Sequence, residues 1–334
     1  MVDNSVDINL SNTIDEIVND ARSIFKNKEK GLGLQIISGS QMNKSAKDSD
    51  YVVWKDSPWH LSTSLPGVPF GKVVQISGRP DSGKSTHAMQ FMKLAQDQGH
   101  LVLLWDAEQK FSVRRFEKHF GGNANDLLVV TSKMISEGAD MVEALVHATM
   151  SRLPNKKIFI VWDSVGGSLP KSEKGKSKRD SRQMAEAAKE SGQVVRGFVM
   201  MMEDYRDRET NEEKVGVLLI NQVYSNIGAP GQVESGGQKV GYHSSLIVQL
   251  TRVTDLFRVR DKVKRKVGIK TKMRIKKNHL FDGDDTIAEI SLDITAGGIA
   301  VSKSDPAYKL VKEHLQSKED FEQETSDEDG WEAE

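Results

Sequence analysis

Short apolar runs alternate with helix-length segments through the central part of the chain. Runs of five or six residues rich in Val, Ile and Leu recur at Lys72–Ser77, Leu101–Trp105, Leu127–Thr131, Ile158–Trp162, Val215–Ile220 and Leu246–Leu250. Runs of this length, separated by helical patterns, are typical of parallel strands buried on both faces. The pattern therefore predicts an α/β domain with a doubly wound, mostly parallel sheet.

Both ends of this region carry different patterns. Residues 11–30 repeat apolar positions at helical spacing, which predicts an amphipathic helix. Residues 253–277 and 286–294 alternate apolar and polar positions, which predicts antiparallel strands at an edge of the sheet with a turn near Val267-Gly268. The expected organisation is an N-terminal helix for packing between protomers within residues 1–37, a linker and entry segment over 38–59, a core over 60–302, a short C-terminal helix within 303–316 and a disordered acidic tail over 317–334.

Composition narrows the class of protein. The chain has 334 residues, which is enough for one large α/β domain with extensions. It has no cysteine, which excludes disulfides, zinc ribbons, iron–sulfur clusters and thiol catalysis. No apolar stretch approaches the roughly 18 residues of a membrane span, and residues 1–10 lack the features of a secretory signal. We therefore expect a cytoplasmic protein without a membrane partner.

Charge is distributed unevenly along the chain. Residues 317–334 hold nine acids and one lysine, a net charge of −8, so the remainder carries +7 of the overall −1. Residues 252–277 hold 12 Lys or Arg and two Asp. This basic segment has three interpretations that the sequence leaves open: a second nucleic-acid path, a docking surface for the acidic tail, or a solvated hairpin.

The strongest motif directly follows the first predicted strand of the core. Gly78, Gly83, Lys84 and Ser85 match the phosphate-loop pattern G-x-x-x-x-G-K-[ST], and a helical pattern follows. The glycines let backbone N–H groups surround a phosphate, and the following helix adds its N-terminal dipole. In this motif the lysine contacts the β- and γ-phosphates and the serine hydroxyl binds Mg²⁺. The sequence therefore predicts a site for a nucleoside triphosphate and Mg²⁺.

Polar side chains end three other predicted strands. Asp163 stands where a Walker B aspartate holds the Mg²⁺ shell. Asp106 and Glu108 each offer a carboxylate that can orient or deprotonate an attacking water. The amide of Gln222 is placed to hydrogen-bond the γ-phosphate and to signal its loss to the next loop. Together these side chains predict a hydrolytic site at one edge of the sheet.

Two polar loops follow these strand ends. Residues 168–182 contain six bases and two acids, and residues 223–241 are rich in glycine and include Tyr224 and Ile227. A flexible basic loop beside a loop with an insertable aromatic or apolar group suits a strand of nucleic acid, through phosphate neutralisation and stacking. We therefore interpret both loops as nucleic-acid contacts that respond to the nucleotide.

Several segments together resemble one known family. They are residues 65–78 with the phosphate loop, Asp106-Ala107-Glu108, Asp163-Ser164-Val165, and Asn221-Gln222 with Gly236-Gly237 downstream. Their order and spacing over residues 60–300 are similar to the ATPase core of the RecA recombinase family, in particular bacterial RecA and its phage relatives of the UvsX type. The resemblance implies a RecA-type P-loop ATPase core with antiparallel edge strands.

The resemblance also implies an activity and its partners. We expect ATP and Mg²⁺ as cofactors, a helical filament of identical subunits on single-stranded DNA, and homologous pairing and strand exchange with double-stranded DNA. The ATP would lie between adjacent subunits, and residues 11–30 would pack on the neighbouring subunit. Mediator and single-strand-binding proteins are implied as further partners.

The family's functional residues correspond to positions of this chain. Glu108, Lys84 and Gln222 correspond to the catalytic carboxylate, the phosphate-binding lysine and the γ-phosphate sensor, and Ser85 and Asp163 to the magnesium ligands. The implied ATP contacts are Gly78, Arg79, Pro80, Asp81, Ser82, Gly83, Lys84, Ser85, Thr86 and, from the neighbouring subunit, Lys277. The implied DNA contacts, within or beside the loops over 168–190 and 223–241, are Lys171, Lys174, Lys176, Lys178, Arg179, Arg182, Arg196, Tyr224, Asn226, Ile227, Gly236, Gly237 and Lys239.

The chain also departs from bacterial RecA. His279 stands where bacterial RecA has a second lysine after the position of Lys277, and we expect no counterpart of the folded C-terminal domain of bacterial RecA. Two alternative functions are therefore kept: a RecA-fold DNA helicase or branch-migration motor, and an ATP-binding regulatory filament that hydrolyses slowly. The absence of cysteine disfavours the zinc-containing branch-migration motors, and Glu108 beside a complete phosphate loop disfavours the regulatory filament.

Overall fold

The computed structural model describes residue 47 and residues 50–173, 181–208, 210–225, 232–260, 262–281 and 287–310. The helix predicted over residues 11–30 and the acidic tail over 317–334 lie outside the described residues. Of the predicted C-terminal helix, residues 308–310 are helical and the positions from 311 onward lie outside the described part.

Within the described residues the structure contains twelve strands and six α-helices. The strands are β1 Tyr51–Val53, β2 Gly67–Pro69, β3 Val73–Gly78, β4 Leu101–Asp106, β5 Leu127–Val130, β6 Ile158–Asp163, β7 Val215–Ser225, β8 Gln232–Glu234, β9 Leu246–Arg260, β10 Val263–Asn278, β11 Glu289–Thr295 and β12 Gly298–Val301. The helices are α1 Pro58–Thr63, α2 Lys84–Asp97, α3 Val113–Arg115, α4 Ile135–Arg152, α5 Ser181–Asp204 and α6 Gly237–His243, and a π-helical turn, Phe116–Phe120, extends α3.

One large sheet organises the molecule. Its strand order is β12-β11-β10-β9-β3-β7-β6-β4-β5, with β8 paired to the end of β7. The strands from β9 to β5 are parallel, and β10, β11 and β12 continue the sheet as antiparallel strands. The mostly parallel α/β sheet with antiparallel edge strands, predicted from the sequence, is thus confirmed. Because all parallel strands run in one direction, their carboxyl ends share one edge.

Helices cover both faces of the parallel strands, which explains the unbroken apolar runs. On one face Val74 and Ile76 of β3 pack with Phe91 and Met92 of α2. On the other face α4 and α5 pack on a cluster that includes the stacked Trp105 and Trp162, whose ring centroids lie 4.2 Å apart. Every residue of β3 is buried. This double burial makes β3 a rigid support for the loop that follows it.

The structure refines the linker and entry segment expected over residues 38–59, because its second half belongs to the core. Strand β1 and the start of α1 fall within this range, and both Val52 and Trp59 are fully buried. The indole N–H of Trp59 donates to the carbonyl of Gly67, 3.2 Å away. Residues 51–59 therefore belong to the core, because these side chains fill space beneath α2.

The turn expected at Val267-Gly268 is also placed differently. Strands β9 and β10 stay paired as far as Arg260 and Val263, and Gly268 lies inside β10 at a register shift. A Cβ at Gly268 would lie 2.2 Å from the carbonyl oxygen of Ile294. The glycine is therefore required by the close approach of β11, and it does not mark a chain reversal.

Among the helices that the structure describes, none combines the length and the apolar character that crossing a membrane requires.

Candidate functional site

The phosphate loop joins the carboxyl end of β3 to the first turn of α2. Gly78 lies between Gln222 of β7 and Leu250 of β9, and a Cβ there would lie 2.5 Å from the carbonyl oxygen of Leu250. Gly83 has φ 95°, and a Cβ there would lie 2.4 Å from Ile294 Cδ1. Both positions therefore require glycine, which keeps the backbone of the loop in its wrapped conformation.

The side chains at the end of the loop are buried and polar. Lys84 is 8% exposed, and its Nζ donates to the carbonyl oxygen of Arg79 over 2.7 Å. Burial lowers the pKa of Lys84, and the nearby carboxylates of Asp163 and Glu108 oppose that shift. The fully buried hydroxyl of Ser82 has no hydrogen-bond partner among the described residues. These donors fit the oxygens of a triphosphate.

Ser85 and Asp163 meet at the start of α2. The Ser85 hydroxyl hydrogen-bonds to the Asp163 carboxylate, whose pKa is raised to about 6 by burial against the effect of this bond. A bound cation would offset that burial. Among the described residues no three His, Asp or Glu side chains cluster as a metal site. Ser85 and Asp163 fit Mg²⁺ that also takes ligands from a nucleotide, as phosphate-loop proteins hold it.

Glu108 lies in the turn after β4, opposite the phosphate loop. Its Oε1 accepts hydrogen bonds from Ser164 Oγ and, over 2.6 Å, from Gln222 Nε2. Its Oε2 accepts from Lys110 Nζ over 2.7 Å. Burial raises the pKa of Glu108, but the hydrogen bonds from Lys110, Ser164 and Gln222 outweigh it, so the pKa lies below its ordinary value. Glu108 is therefore an ionised, oriented carboxylate facing Lys84.

Asp106, the other carboxylate considered for this role, is engaged differently. Its two oxygens accept the backbone N–H groups of Lys110 and Phe111 over 3.1 and 2.9 Å. Only 6% of Asp106 is exposed. Asp106 thus shapes the turn that carries Glu108, and Glu108 is the better placed of the two to meet a water.

Gln222 connects this site to the chain that follows β7. It lies beside Gly78 in the sheet, and its Oε1 accepts a hydrogen bond from the Tyr224 hydroxyl over 2.8 Å. The backbone N–H of Ser235 returns to the carbonyl of Gln222 over 2.8 Å. Both ends of the 223–241 loop are therefore tied to the residue that contacts Glu108.

A family model described as the RecA N-terminal domain matches residues 26–298. The chain belongs to the RecA family.

Curated relatives agree with this assignment and confirm the family predicted from the sequence. Protein RecA of Ureaplasma parvum serovar 3 is 29% identical over 224 residues, which cover 65% of this chain and 60% of that protein. Protein RecA of Mycoplasma genitalium is 29% identical over 219 residues, covering 64% and 58%. Protein RecA of Nautilia profundicola is 26% identical over 266 residues, covering 75% and 70%. The chain thus spans about three fifths of the length of the first two relatives.

A cleft of about 730 Å³ extends from the phosphate loop of this RecA-family chain. One wall is formed by Arg115 and Phe120, and the other by Val267 of β10 and Ile294 of β11. Arg115 Nη2 donates to Thr86 Oγ1 over 3.0 Å, which holds the guanidinium at the rim. The cleft is large enough for the nucleoside part of a nucleotide whose phosphates lie on the loop.

Sequence reasoning missed three residues of this site: Ser164, Lys110 and Arg115. Ser164 follows Asp163 directly, so the strand-end pattern could have included it. Lys110 and Arg115 have no motif spacing, and only the turn after β4 brings them to the site.

The predicted DNA contacts are only partly described. Arg196 and Lys239 are exposed on α5 and α6, Lys171 is exposed in the first loop, and Tyr224 is 47% exposed. Gly236 and Gly237 have φ 75° and 72°, and a Cβ on either would lie 2.8 Å from a side chain of the core or of α5. Their described role is therefore close packing of α6. The side chains of Lys174, Lys176, Lys178, Arg179, Arg182, Asn226 and Ile227 lie outside the described residues.

Lys277 is not part of this chain's own phosphate site. It pairs with Ile247 near the amino end of β9, whereas the phosphate loop follows the carboxyl end of β3. Its Nζ donates to the carbonyls of Gly241 and Tyr242, each over 3.1 Å. A contact between Lys277 and a nucleotide therefore requires a second subunit and stays a prediction.

Proposed function

We propose that this RecA-family chain is an ATP-dependent homologous recombinase that forms helical filaments on single-stranded DNA and catalyses homologous pairing and strand exchange. The observation that carries this proposal is the contact between Gln222 and Glu108 over 2.6 Å. It joins the candidate hydrolytic carboxylate to the loop that is the best candidate for holding DNA, so that nucleotide state and DNA grip depend on one side chain.

ATP with Mg²⁺ is the proposed cofactor. Backbone groups of residues 78–83 would surround the phosphates, Lys84 and Thr86 would contact them, and Ser85 and Asp163 would hold Mg²⁺. When bound, Mg²⁺ would neutralise charge on the phosphates. Glu108 would orient a water and take its proton as the water oxygen attacks the γ-phosphorus and the bond from that phosphorus to the β,γ-bridging oxygen breaks, which releases ADP and phosphate; Gln222 would sense whether the γ-phosphate is present.

DNA is the proposed macromolecular ligand. The first loop begins with exposed Lys171, and exposed Arg196 and Lys239 lie on the helices that flank the two loops. These cations can neutralise backbone phosphates, and the half-exposed ring of Tyr224 can stack on a base. The other predicted contacts in the two loops belong to the same proposal.

Filament assembly is supported by a groove of about 460 Å³ between α4 and α5. Its apolar floor includes Met200, which is 55% exposed, and its rim carries Asp140, Glu143 and Asp204. The predicted amphipathic helix of a neighbouring copy suits this groove, because residues 22–30 carry four bases and one acid. In a filament packed in this way, Lys277 of one subunit would contact the nucleotide of the neighbouring subunit.

ATP hydrolysis with and without single-stranded DNA is the first test. We expect DNA to raise the rate severalfold and Lys84→Ala to abolish it, because the lysine contacts the transferred phosphoryl group. Equal rates with and without DNA would contradict the recombinase proposal.

Electron microscopy and a joint-molecule assay separate the alternatives. With single-stranded DNA and a non-hydrolysable ATP analogue we expect an open helical filament, whereas a closed six-membered ring would favour a helicase. We expect joint molecules between a single strand and homologous duplex. Filaments that form without joint molecules and hydrolyse ATP slowly would favour the regulatory alternative.

A further inference from the structure

The two oxygens of the Glu108 carboxylate have different partners. Oε1 accepts from Ser164, which directly follows β6, and from Gln222 of the neighbouring strand β7. Oε2 accepts only from Lys110 Nζ among the described residues, over 2.7 Å. The Glu108 side chain is 18% exposed and that of Lys110 is 78% exposed. One oxygen is therefore held by the core and the other by a side chain that stands mostly in solvent.

The backbone of Lys110 is fixed although its side chain is not. Its N–H donates to Asp106 Oδ1 over 3.1 Å, which closes the turn after β4. The preceding residue, Gln109, has φ 56° and is anchored by its own side chain to the carbonyl of Thr131 over 2.8 Å. On the far side of Glu108, Gly167 lies so close that a Cβ there would meet Glu108 Cγ at 2.4 Å. Glu108 is therefore enclosed on the side of Gly167 and closed off by Lys110 on the side of the solvent.

We propose that Lys110 is a positioning residue that restrains Glu108 by occupying the oxygen through which the carboxylate would engage the attacking water. This inference rests on the proposed function, since it assigns Lys110 a role in the same hydrolytic step. Glu108 accepts the proton of the water, so its Oε2 must exchange the ammonium for that water before the step begins. Because an ion pair this exposed is weak, the exchange is readily driven.

The contact between Lys110 and Glu108 limits the rate of ATP hydrolysis when no DNA is bound. While Lys110 holds Oε2, a water meets a carboxylate whose charge is partly neutralised, and hydrolysis without DNA is slow. When Lys110 is displaced, Glu108 keeps its orientation through Ser164 and Gln222, so the carboxylate is released without being misplaced. Lys110 thus lowers the basal rate more than the stimulated rate.

The test compares the full chain with three variants at saturating Mg²⁺ over a range of ATP concentrations, with and without single-stranded DNA. Lys110→Met removes the charge at similar length, and Lys110→Arg keeps it. Lys93→Met is the matched control, because Lys93 forms an ion pair with Asp97 on α2, away from Glu108. Phosphate release gives kcat and KM for each protein.

For Lys110→Met we expect the DNA-independent kcat to rise roughly two- to fivefold, the factor that corresponds to one exposed ion pair. The KM for ATP and the DNA-stimulated kcat should stay unchanged, so the ratio of the two rates falls. Lys110→Arg and Lys93→Met should behave like the unmodified chain. A merely structural role of Lys110 would lower both rates together.

Different results would contradict the inference about Lys110 and the proposed function. An unchanged or lower basal kcat in Lys110→Met, or an equal rise in Lys93→Met, would overturn the inference while DNA-stimulated hydrolysis by the unmodified chain upheld the proposed function. An unmodified chain that hydrolyses no ATP under either condition would overturn both.

Discussion

The nucleotide edge of the sheet and the hairpin formed by β9 and β10 both carry many charged side chains. The two regions differ in how far these side chains are buried and paired. At the nucleotide edge, Lys84, Glu108 and Asp163 are largely buried, and each has a hydrogen-bond partner. On the hairpin, Arg258 and Arg265 stand directly opposite each other and are exposed. Within the described part of the chain, neither guanidinium forms an ion pair with a carboxylate.

Burial explains the difference. A charge removed from water must be paired or it destabilises the fold, so the polar groups at the nucleotide edge constrain one another. Two like charges facing each other across exposed strands destabilise only slightly, because water screens them. The nucleotide edge is therefore preorganised for one small ligand, whereas Arg258 and Arg265 present exposed positive charge with no ion-paired carboxylate among the described residues, which suits a polyanion.

The ion pairs at the base of the hairpin mark the border between the two regions. Asp255 Oδ1 pairs with Arg252 and, over 2.9 Å, with Lys266. Arg252 Nη1 also lies 3.9 Å from Asp81 of the phosphate loop. Arg252 thus lies between the phosphate loop and the hairpin. We expect mutations at the nucleotide edge and mutations on the hairpin to affect different activities.

The largest effect should come from Glu108→Gln at the nucleotide edge. The amide keeps the size and the acceptor oxygen of the side chain but cannot take a proton, so kcat should fall by about 10²- to 10⁴-fold. ATP binding, measured with a fluorescent analogue, should be retained. Asp106→Asn is the comparison: it should lower the melting temperature, because Asp106 accepts two backbone N–H groups of the turn. The reverse pattern would make Asp106 the base.

Tyr224→Phe should have the next largest effect. The ring remains available for stacking, but the hydrogen bond to Gln222 Oε1 is lost. One such bond contributes about 0.5–1.5 kcal/mol, so the stimulation of hydrolysis by DNA should fall by roughly two- to tenfold. Affinity for single-stranded DNA, measured by fluorescence anisotropy, should change little. An equal loss of affinity and stimulation would show that the phenol acts only as a DNA contact.

Paired substitution on the hairpin should affect DNA and spare the nucleotide. In the double variant Arg258→Ala, Arg265→Ala we expect weaker binding of duplex DNA. The slope of its salt dependence should fall by about 1–2, because fewer phosphate contacts release fewer counterions from the DNA. Basal ATP hydrolysis should be unchanged. Unaltered duplex affinity across a salt series would leave the segment as a solvated hairpin.

The smallest effect should come from removing residues 317–334. Their net charge of −8 competes with DNA for basic surface, so removal should strengthen duplex binding at low salt and have little effect at high salt. A protein that combines the truncation with the two hairpin substitutions shows whether the tail covers the hairpin or another basic surface. If the truncation still strengthens binding in that background, the tail acts on another surface.

Much of the fold could be predicted because the parallel strands are buried on both faces. Their runs rich in Val, Ile and Leu, from Lys72–Ser77 to Leu246–Leu250, identified every strand of the parallel sheet. The errors arose where a local signal had a non-local cause. Gly268 resembled a turn residue, but β11 requires it, and residues 51–59 were placed in the linker and entry segment although Trp59 fills the core.

The candidate site divides in the same way. Lys84, Ser85, Asp163, Glu108 and Gln222 were predicted because a motif or a strand end marks each of them. The choice between Asp106 and Glu108 needed the structure, since only their hydrogen bonds distinguish a carboxylate that binds the backbone of its own turn from one that binds the side chains of neighbouring elements. Lys110 and Arg115 lie in a segment without periodic pattern, so nothing in their spacing indicated a contact.

The sequence by itself determined the phosphate loop, the direction of the sheet and the residue types at its carboxyl edge, because these depend on short-range spacing and on which side chains avoid water. Only the tertiary structure decided which atoms meet: that Gln222 and Lys110 hold opposite oxygens of Glu108, and that Arg258 and Arg265 face each other with no ion-paired carboxylate among the described residues. Such contacts join residues far apart in the chain, and their geometry is set by packing rather than by any local preference.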